Sequence, residues 1–244
     1  SKCNGRFLKR VVLVRHGQAT HNPRAEAAKA NGCSHQTFMN LMQEDDEYDA
    51  ALTELGRSQA REGSEKYKKI LEKVDMVVSS PLSRAIDTAD FTIKSHDNKV
   101  AVEHFREITG LLLNAKRRPR DELQNLYPSW DFSEVSPLDT SWVPDELEAT
   151  EDCGERGYKG LLWIASRNEK NVMVVTHGGL LRFCMDQHPL VHVHDQRDSE
   201  SRRFGNCEVR EYDMTLKFEN SPKNDRSDDI SLCRPIVTLT EVTA

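Results

Sequence analysis

The sequence predicts an α/β protein built as a three-layer αβα sandwich around a mostly parallel central sheet. Short apolar runs rich in β-branched residues recur along the chain, and the clearest lie at 11–14, 75–80 and 171–177. Runs that are apolar throughout are typical of parallel strands buried on both faces. Segments whose apolar residues recur at helical spacing stand between these runs, as the helices of such a sandwich require.

Length and composition narrow the class of protein further. The 244 residues favour a single domain spanning 1–244, with a formal net charge of −6 and no basic excess of the kind that nucleic-acid-binding domains show. No apolar run approaches the ~20 residues of a membrane helix, and the first ten residues lack the apolar region of a secretory signal. The six cysteines are scattered without a CxxC pair. We therefore expect reduced thiols in a cytoplasmic protein, while the oligomeric state stays open.

The first part of the chain is predicted to contain one strand and one helix separated by a loop. The strand "VVLV" at 11–14 runs directly into Arg15. Residues 23–51 are polar and irregular, so we predict a long loop there, with at most a helical turn. Apolar residues then recur at helical spacing up to Val74, which predicts an amphipathic helix with Thr53 as its N-cap.

The middle of the chain continues the alternation. The second strand is predicted at 75–80, followed by a helix with Pro81 in its first turn. The third strand is predicted at 99–105. Prolines become frequent after it, so we predict an insertion of loops and short helices at about 110–145.

The last part of the chain is predicted to hold three strands. A helix over 155–169 leads into the fourth strand at 171–177, and another helix begins at the two glycines that follow. The runs "GNCEVREYDM" and "PIVTLTEV" alternate like late strands. The polar segment between them, at about 217–232, is expected to be a mobile loop.

Cationic residues follow three of the predicted parallel strands at the point where each strand ends. Arg15 and His16 follow the first strand, Arg84 lies just after the second, and His177 follows the fourth. Because open α/β sheets bind ligands outside the carboxyl ends of their strands, we expect these side chains in one crevice. Guanidinium groups match phosphate oxygens in bidentate geometry, and helix N-termini add positive potential. The pattern therefore predicts a phosphate-binding pocket.

The same residues predict a phosphoryl-transfer chemistry. A neutral imidazole held among cations resists protonation and can act as a nucleophile, which makes His16 the candidate. The leaving oxygen then needs a proton, for which Glu107 is the first candidate and Glu103 the weaker one. A surface salt bridge is the alternative role for Glu107. Backbone N–H groups could approach the ligand closely at the glycines that follow the histidines: Gly17, Gly178 and Gly179.

Five motifs in order carry a resemblance to a known family: "LVRHGQATHN", "LTELGRSQA", "VVSSPLSRAIDTA", "REITG" and "VVTHGG". Together they span 11–179 and resemble the signatures of the histidine phosphatase superfamily, in its phosphoglycerate-mutase-like branch. The resemblance implies the fold of that family. It implies that His16 is the phosphorylated nucleophile and that Glu107 is the general acid. It also implies a phosphate pocket made of Arg15, Arg84 and His177, with Asn22 at its polar rim and the backbone of Gly178 beside it.

Three other features of the sequence suggest a metal site, a cysteine nucleophile and a further substrate contact. His188, His192 and His194 have a spacing that a metal ion could use, but the resemblance implies metal-independent chemistry, so we predict no metal and no cofactor. Cys184 suggests a cysteine phosphatase, but the Cys-x5-Arg loop of that class does not follow it. The basic run at 114–120 includes a pair of arginines suited to a second acidic group on a substrate: Arg117 and Arg118.

The expected function is that of a histidine acid phosphatase-type phosphomonoesterase that acts through a phosphohistidine on a small phosphorylated metabolite. Mutase-type phosphotransfer is the alternative, and a non-catalytic protein that binds a phospho-ligand or a partner is a second one. Family mutases share an F-T-G-W segment soon after the RHG motif and an E-R-x-Y-G segment at the acid. Residues 23–53 lack the first, and "FREITG" at 105–110 lacks the tyrosine of the second. These departures favour hydrolysis.

Overall fold

The computed structural model describes residues 6–197, 202–218 and 234–242. Within them the strands are β1 (Arg6–Arg15), β2 (Met76–Ser79), β3 (Lys99–Val102), β4 (Asp131–Glu134), β5 (Asn171–Thr176), β6 (Val191–His194), β7 (Val209–Lys217) and β8 (Ile236–Glu241). These strands form one sheet in the order β4-β3-β2-β5-β1-β7-β8-β6. Neighbours from β4 to β1 pair in parallel, while β7 is antiparallel to both β1 and β8. The mostly parallel sheet is confirmed.

The helices lie between these strands along the chain. They are α1 (Pro23–Ala30), α2 (His35–Glu44), α3 (Glu54–Lys66), α4 (Lys68–Leu71), α5 (Ser83–Thr92), α6 (Arg120–Leu126), α7 (Thr150–Ser166) and α8 (Gly178–Arg182). A π-helical turn at Phe183–Gln187 continues α8, and two 3₁₀ turns lie at Glu103–Phe105 and Leu113–Ala115.

The alternation of side chains along β1 divides the core into two layers. Val11 and Leu13 lie in the apolar cluster that α7 and α8 complete on one face of the sheet. Val12 and Val14 lie in the cluster that α4, α5 and α6 complete on the other face. Successive residues of a strand point to opposite faces, so an uninterrupted apolar run is what a sheet covered on both sides requires. The three-layer αβα architecture is confirmed.

The prediction of a loop at 23–51 is wrong, because α1 and α2 occupy much of this segment. Pro23 starts α1, and the side chain of Ser34 accepts a hydrogen bond from the backbone N–H of Thr37 to cap α2. Apolar residues of both helices pack around Leu112. That partner is distant in sequence, which is why the local pattern did not reveal the helices.

Two short strands were also missed. β4 lies inside the predicted insertion and pairs with β3 at the sheet edge, where Phe132 is its buried side chain. β6 is formed by "VHVH", so the spacing of His192 and His194 is the two-residue period of a strand. Pro81 precedes the N-cap of α5 and lies outside the first turn that was predicted for it.

The structure tests the predictions on thiols, location, the late loop and membrane helices only in part. Four cysteines in the described ranges are free thiols: Cys33, Cys153, Cys184 and Cys207. The cytoplasmic location stays a prediction. Most of the loop expected at about 217–232 falls outside the described residues. Across the described ranges, none of the helices has the length and apolar character needed to span a bilayer.

Candidate active site

The site lies where three parallel strands end side by side. β5 stands between β1 and β2, so the residues that follow these strands are neighbours. The N–H of His16 donates to the carbonyl of Thr176 at 2.9 Å, and the N–H of Ser80 donates to the carbonyl of Val175 at 3.0 Å. The sheet therefore sets His16, Ser80 and His177 side by side at the carboxyl ends of its parallel strands.

His16 is buried and its hydrogen bonds define which ring nitrogen is available for chemistry. Its Nδ1 lies 2.6 Å from the carbonyl oxygen of Gly17, which can only accept, so Nδ1 carries the proton. Its Nε2 then holds the lone pair, and Nε of Arg84 donates to it at 3.3 Å. Burial, followed by the charges of Arg84 and Arg15, lowers the pKa of His16 well below its ordinary value. The ring is therefore neutral and nucleophilic at Nε2 near neutral pH.

Arg84 is fully buried in the first turn of α5. Its Nη1 donates to the carbonyl of Asn114 at 2.6 Å. Burial lowers the pKa of Arg84 to about 10, although the charges of Glu107 and Asp49 oppose this shift. The guanidinium therefore keeps its positive charge at neutral pH, beside Nε2 of His16.

Two aspartates from the acidic run after α2 hold Arg84 in place. Asp49 accepts a hydrogen bond from the N–H of Ser83 at 2.9 Å, at the N-terminus of α5. Burial raises the pKa of Asp49, and the hydrogen bonds of Ser83 oppose that shift. Asp46 accepts from the N–H of Asn114 at 2.9 Å, which fixes the carbonyl that receives Arg84. No local pattern predicts these positioning roles, because the partners of the two aspartates are distant along the chain.

His177 faces His16 from the end of β5, with the two ring centroids 4.9 Å apart. Its Nε2 lies 2.7 Å from Oγ of Ser80, whose hydroxyl also accepts from the N–H of Leu82. If the Ser80 hydroxyl donates to Nε2, the proton of His177 resides on Nδ1. That Nδ1 is buried and has no partner. Burial, then the charges of Arg84 and His16, lowers the pKa of His177 well below its ordinary value.

Arg15 reaches the pocket from the end of β1. Its Nη1 donates to the carbonyl of Phe204 at 3.0 Å, and its Nη2 forms an ion pair with Glu26. Its Nε is buried without a partner. A methyl group on Gly178 would lie 3.3 Å from this Nε. The guanidinium is thus held against the start of α8 with one N–H group left over.

His21 is a site residue that the sequence analysis missed. Oδ1 of Asn22 accepts from the N–H of Ala19 at 3.2 Å, which orients the amide so that its Nδ2 donates to Nε2 of His21 at 3.0 Å. Nδ1 of His21 then carries the proton, and it is buried without a partner. Burial, then Arg84 and Arg15, lowers the pKa of His21 well below its ordinary value. Its place beside Asn22 in "ATHN" was the available signal.

The unpartnered groups of this site share one property. In the part of the chain that the structure describes, six buried side-chain N or O atoms have no hydrogen-bond partner, and three of them belong here: Nε of Arg15, Nδ1 of His21 and Nδ1 of His177. Nε of Arg15 and Nδ1 of His21 are donors, and Nδ1 of His177 is a donor in the tautomer in which the Ser80 hydroxyl donates to Nε2. Because buried polar groups in folded proteins are nearly always paired, three unpaired donors around a neutral imidazole fit an anionic ligand such as a phosphoryl group.

Glu107 lies at the edge of the site, where it receives the N-terminus of α8. Its carboxylate accepts hydrogen bonds from the backbone N–H groups of Ile108 at 2.9 Å, Leu180 at 3.2 Å and Gly179 at 3.3 Å. Arg156 in turn donates to the carbonyl oxygens of Arg106 and Glu107. The loop that carries Glu107 is therefore fixed from both sides, and its charge acts on Arg84.

The expected use of two glycine N–H groups by the ligand is wrong. The N–H of Gly17 donates to Oγ1 of Thr88 at 3.0 Å, and that of Gly179 donates to Glu107. Gly17 is required for another reason, since a Cβ there would lie 2.6 Å from the carbonyl oxygen of Gly56. The helix N-termini likewise receive protein carboxylates: Glu107 on α8 and Asp49 on α5.

Two of the weaker candidates have structural roles. Arg117 is fully buried, and its guanidinium donates to Glu103, to Ser136 and to the carbonyls of Arg118 and Leu138. Each of its three nitrogens donates to a protein group and the side chain has no exposed surface for a substrate to reach, which corrects the prediction. Glu103 is engaged by Arg117 and Arg106, which makes it a poor general acid. Arg118 is partly exposed and pairs with Asp49 and Glu122, so its contact with substrate stays a prediction.

The histidines weighed as metal ligands do not form a cluster. Nε2 of His188 lies 3.0 Å from Glu155, and its ring stacks on Tyr158. Among the described residues no group of three or more His, Cys, Asp or Glu side chains is placed to hold a metal ion. Cys184 is buried in the apolar core, where burial raises the pKa of its thiol to about 12, so it is no nucleophile.

Comparison with known proteins identifies the family. The model of the histidine phosphatase superfamily, branch 1, matches residues 11–217. Phosphoglycerate mutase-like protein 1 of Arabidopsis thaliana is 30% identical over 240 residues, which cover 83% of this chain and 79% of the relative. The metal-independent phosphoserine phosphatase of the same plant is 28% identical over 180 residues, which cover 70% of this chain and 65% of that protein. This chain therefore belongs to the histidine phosphatase superfamily.

A solved structure agrees with the fold. The native structure of a mycobacterial glucosyl-3-phosphoglycerate phosphatase superposes with a TM-score of 0.50, and the match covers 97% of this chain and all of the other. The two sequences are 21% identical, so this similarity concerns the fold alone. The expected histidine phosphatase fold is confirmed.

Proposed function

We propose that this protein is a phosphomonoester hydrolase that acts on small phosphorylated metabolites through a phosphohistidine on His16. The observation that carries the proposal is the neutral His16 ring, with its Nε2 lone pair beside Arg84 and three unpartnered donors around it. Donors that are fixed before the substrate arrives stabilise the charge of a transferring phosphoryl group without reorganisation. Arg15 and Arg84 supply the positive charge that this group needs.

The reaction consists of two displacements at phosphorus. In the first, Nε2 of His16 forms a bond to phosphorus while the bond to the leaving oxygen breaks, and the carboxyl group of Glu107 gives that oxygen a proton. In the second, the carboxylate of Glu107 takes a proton from water, the water oxygen attacks phosphorus, and the P–N bond breaks. Inorganic phosphate leaves, Nε2 of His16 is free again, and the proton that Glu107 gave in the first displacement is returned to it in the second.

Hydrolysis is favoured over mutase-type transfer by the parts that surround the pocket. A mutase has to retain its intermediate and exclude water, which requires a closed pocket shaped to its substrate. The segment that carries the F-T-G-W residues in family mutases forms α1 and α2 here, with a different sequence. Similarity to a protein named as a phosphoserine phosphatase supports hydrolysis, while similarity to proteins named as phosphoglycerate mutase-like keeps transfer as the second candidate.

The test is a direct comparison of the two activities in excess chelator. Phosphate release is measured from sugar phosphates, nucleotides, phosphoserine and 3-phosphoglycerate. In parallel, a coupled assay follows conversion of 3-phosphoglycerate to 2-phosphoglycerate with a trace of the 2,3-bisphosphate. We expect release without a metal requirement, absent in His16→Ala. Isomerisation well above release would establish the mutase, and a lack of both activities would favour a binding protein.

A further inference from the structure

Three cationic side chains stand exposed near the site and have no ion-pair partner in the described part of the chain: Lys29, Arg182 and Arg203. Most other arginines near them are paired, as Arg15 is with Glu26 and Arg202 is with Asp186. Lys29 stands over the ring of Phe38, and Arg182 stands over that of Phe183, so an aromatic ring lies beside each of these two charges.

Each of the three lies on a segment that carries or contacts a residue of the phosphate pocket. Lys29 lies in the last turn of α1, the helix that begins directly after Asn22. Arg182 ends α8, which begins directly after His177. Arg203 precedes Phe204, whose carbonyl receives Arg15. The elements that build the pocket therefore also carry the three cations.

A small cleft lies beside two of these cations, Arg182 and Arg203. Its lining includes Gly178 at one end and Arg182, Arg203 and Phe204 around it. Asp186 also lines the cleft, but Nη1 of Arg202 neutralises it at 2.7 Å. Gly178 is also the residue against which Arg15 lies, so the lining of the cleft and the phosphate site share this residue.

The cations are close enough to affect one another. Partial burial lowers the pKa of Lys29, and the charges of Arg203, Arg15 and Arg182 lower it further, against the opposing charge of Glu26. Holding unpaired like charges together is unfavourable unless an anion binds among them. The basic cluster thus has the charge and the placement to receive a second negative group of a substrate.

We propose that Lys29, Arg182 and Arg203 form a second anion subsite, which binds a carboxylate or second phosphate group of a substrate whose phosphomonoester occupies the pocket. This inference rests on the proposed function and narrows its substrate class to phosphorylated acids and bisphosphates. The sequence suggested Arg117 as the residue that binds a second acidic group of the substrate, but the nitrogens of Arg117 all donate within the protein. The proposal gives this role to residues of other elements.

The first experiment compares matched substrates that differ in one negative group. The pairs are 3-phosphoglycerate with glycerol 3-phosphate, and fructose 1,6-bisphosphate with fructose 6-phosphate. We expect the doubly anionic member of at least one pair to have a kcat/KM about tenfold or more above its partner, mainly through a lower KM, because charge-assisted hydrogen bonds are the stronger ones. The pair that shows the preference identifies the second group as a carboxylate or a phosphate.

The second experiment removes the charges. Arg182→Gln and Arg203→Gln should each raise the KM of the preferred substrate roughly fivefold to tenfold and leave the singly anionic partner unchanged. Arg182→Lys, which keeps the charge, should restore most of the loss. Lys69→Gln, at an exposed lysine of α4, is the control for a general change of charge. All variants are compared at matched ionic strength, because salt screens exposed charges.

The outcomes separate this inference from the proposed function. Equal kcat/KM within both pairs, or variants that weaken both members alike, would overturn the subsite and leave hydrolysis intact. If the protein releases no phosphate, hydrolysis fails. The subsite is then judged by calorimetric binding of 3-phosphoglycerate to His16→Ala protein, with and without Arg182→Gln. Equal affinity in that pair of proteins would overturn it, and weaker binding with Arg182→Gln would support it.

Discussion

The phosphate pocket and the segment that flanks it, residues 103–148, use arginine in opposite ways. In the pocket, Arg15 and the histidines keep buried N–H groups without partners. In the flanking segment, Arg117 donates from every nitrogen to protein groups, and Arg156 of α7 does the same to Glu148 and to the carbonyls around Glu107. The pocket keeps several donors for a ligand, whereas Arg117 and Arg156 are satisfied by the chain itself. Arg106 of the flanking segment departs from this pattern at one atom, its buried Nε, which has no partner in the described residues.

This difference separates function from stability. An unpaired buried donor costs free energy in the folded protein, and a ligand that accepts from it recovers that cost. A buried arginine that is fully paired stabilises only as long as its partners remain, since removal of one partner leaves an uncompensated charge. Substitutions in the pocket should therefore abolish activity at little cost in stability, and substitutions in the flanking segment should do the reverse.

The largest effect is expected for His16→Ala. Without Nε2 no P–N bond can form, so both turnover and a trapped phosphoenzyme should fall below detection. In the wild-type protein the trapped label should be labile in acid and stable in base, as a phosphoramidate is. The thermal midpoint of the variant should stay near that of the wild type. A label that survives acid would indicate a phosphate ester and would refute His16 as nucleophile.

The next largest effect is expected for Glu107→Gln. A general acid contributes about 10²–10⁴-fold when the leaving group is a poor one, so hydrolysis of alkyl phosphates should fall by that factor. p-Nitrophenyl phosphate, whose leaving group departs without a proton, should be affected far less. Glu103→Gln is the matched control, because its carboxylate pairs with Arg117 and should leave the ratio of the two rates unchanged. Equal losses on both substrates would remove Glu107 from the role of acid.

In the flanking segment, Arg117→Met tests the other half of the comparison. It removes one of the two arginine partners of Glu103 and the donors to Ser136 and to the carbonyls of Arg118 and Leu138, so it should lower the free energy of unfolding by about 3 kcal/mol, measured by denaturant titration. The folded fraction should keep its kcat/KM within a few-fold. Arg24→Met is the control, because Arg24 forms only exposed ion pairs with Glu44 and Asp45, which typically contribute about 0–1 kcal/mol. A loss of activity without a loss of stability in Arg117→Met would place Arg117 in the substrate site after all.

The two regions also differ in what the sequence could reveal. The strand ends that carry Arg15, His16 and His177 were predictable, because parallel strands bring their carboxyl ends to one edge and the motifs are local. Helices α1 and α2, strand β4 and the roles of Asp46 and Asp49 were not, because their partners lie far along the chain. Leu112 for the helices, and Ser83 and Asn114 for the aspartates, become neighbours only in the folded protein. The predicted contact of Arg117 with substrate is wrong for the same reason, because its partners Ser136 and Leu138 are not local in the sequence.

The smallest effect concerns the loss of stability at acid pH, to which the histidines of the pocket should contribute most. The folded state lowers the pKa values of His16, His21 and His177 well below 6.5, mainly through burial. As the pH falls below about 6.5, each of these histidines becomes protonated in the unfolded chain but stays neutral in the folded protein. The free energy of unfolding therefore decreases as the pH is lowered, by up to about 1.4 kcal/mol per pH unit for each histidine. Groups whose folded pKa is raised, such as Asp87 at about 6, take up protons in the folded state and partly offset this fall.

A difference between variants isolates the contribution of each histidine from that offset. His16→Ala and His21→Asn each remove one histidine that is protonated only in the unfolded chain. Between pH 6 and pH 5, each variant should therefore lose about 1 kcal/mol less stability than the wild type. The measurement is a set of denaturant titrations across this range on the three proteins. The sign follows from the lowered pKa: the variants gain relative stability only on the acid side, and the curves run parallel above pH 7.5. Parallel curves down to pH 5 would show that these rings are protonated in the folded protein, which would contradict a neutral nucleophile at His16.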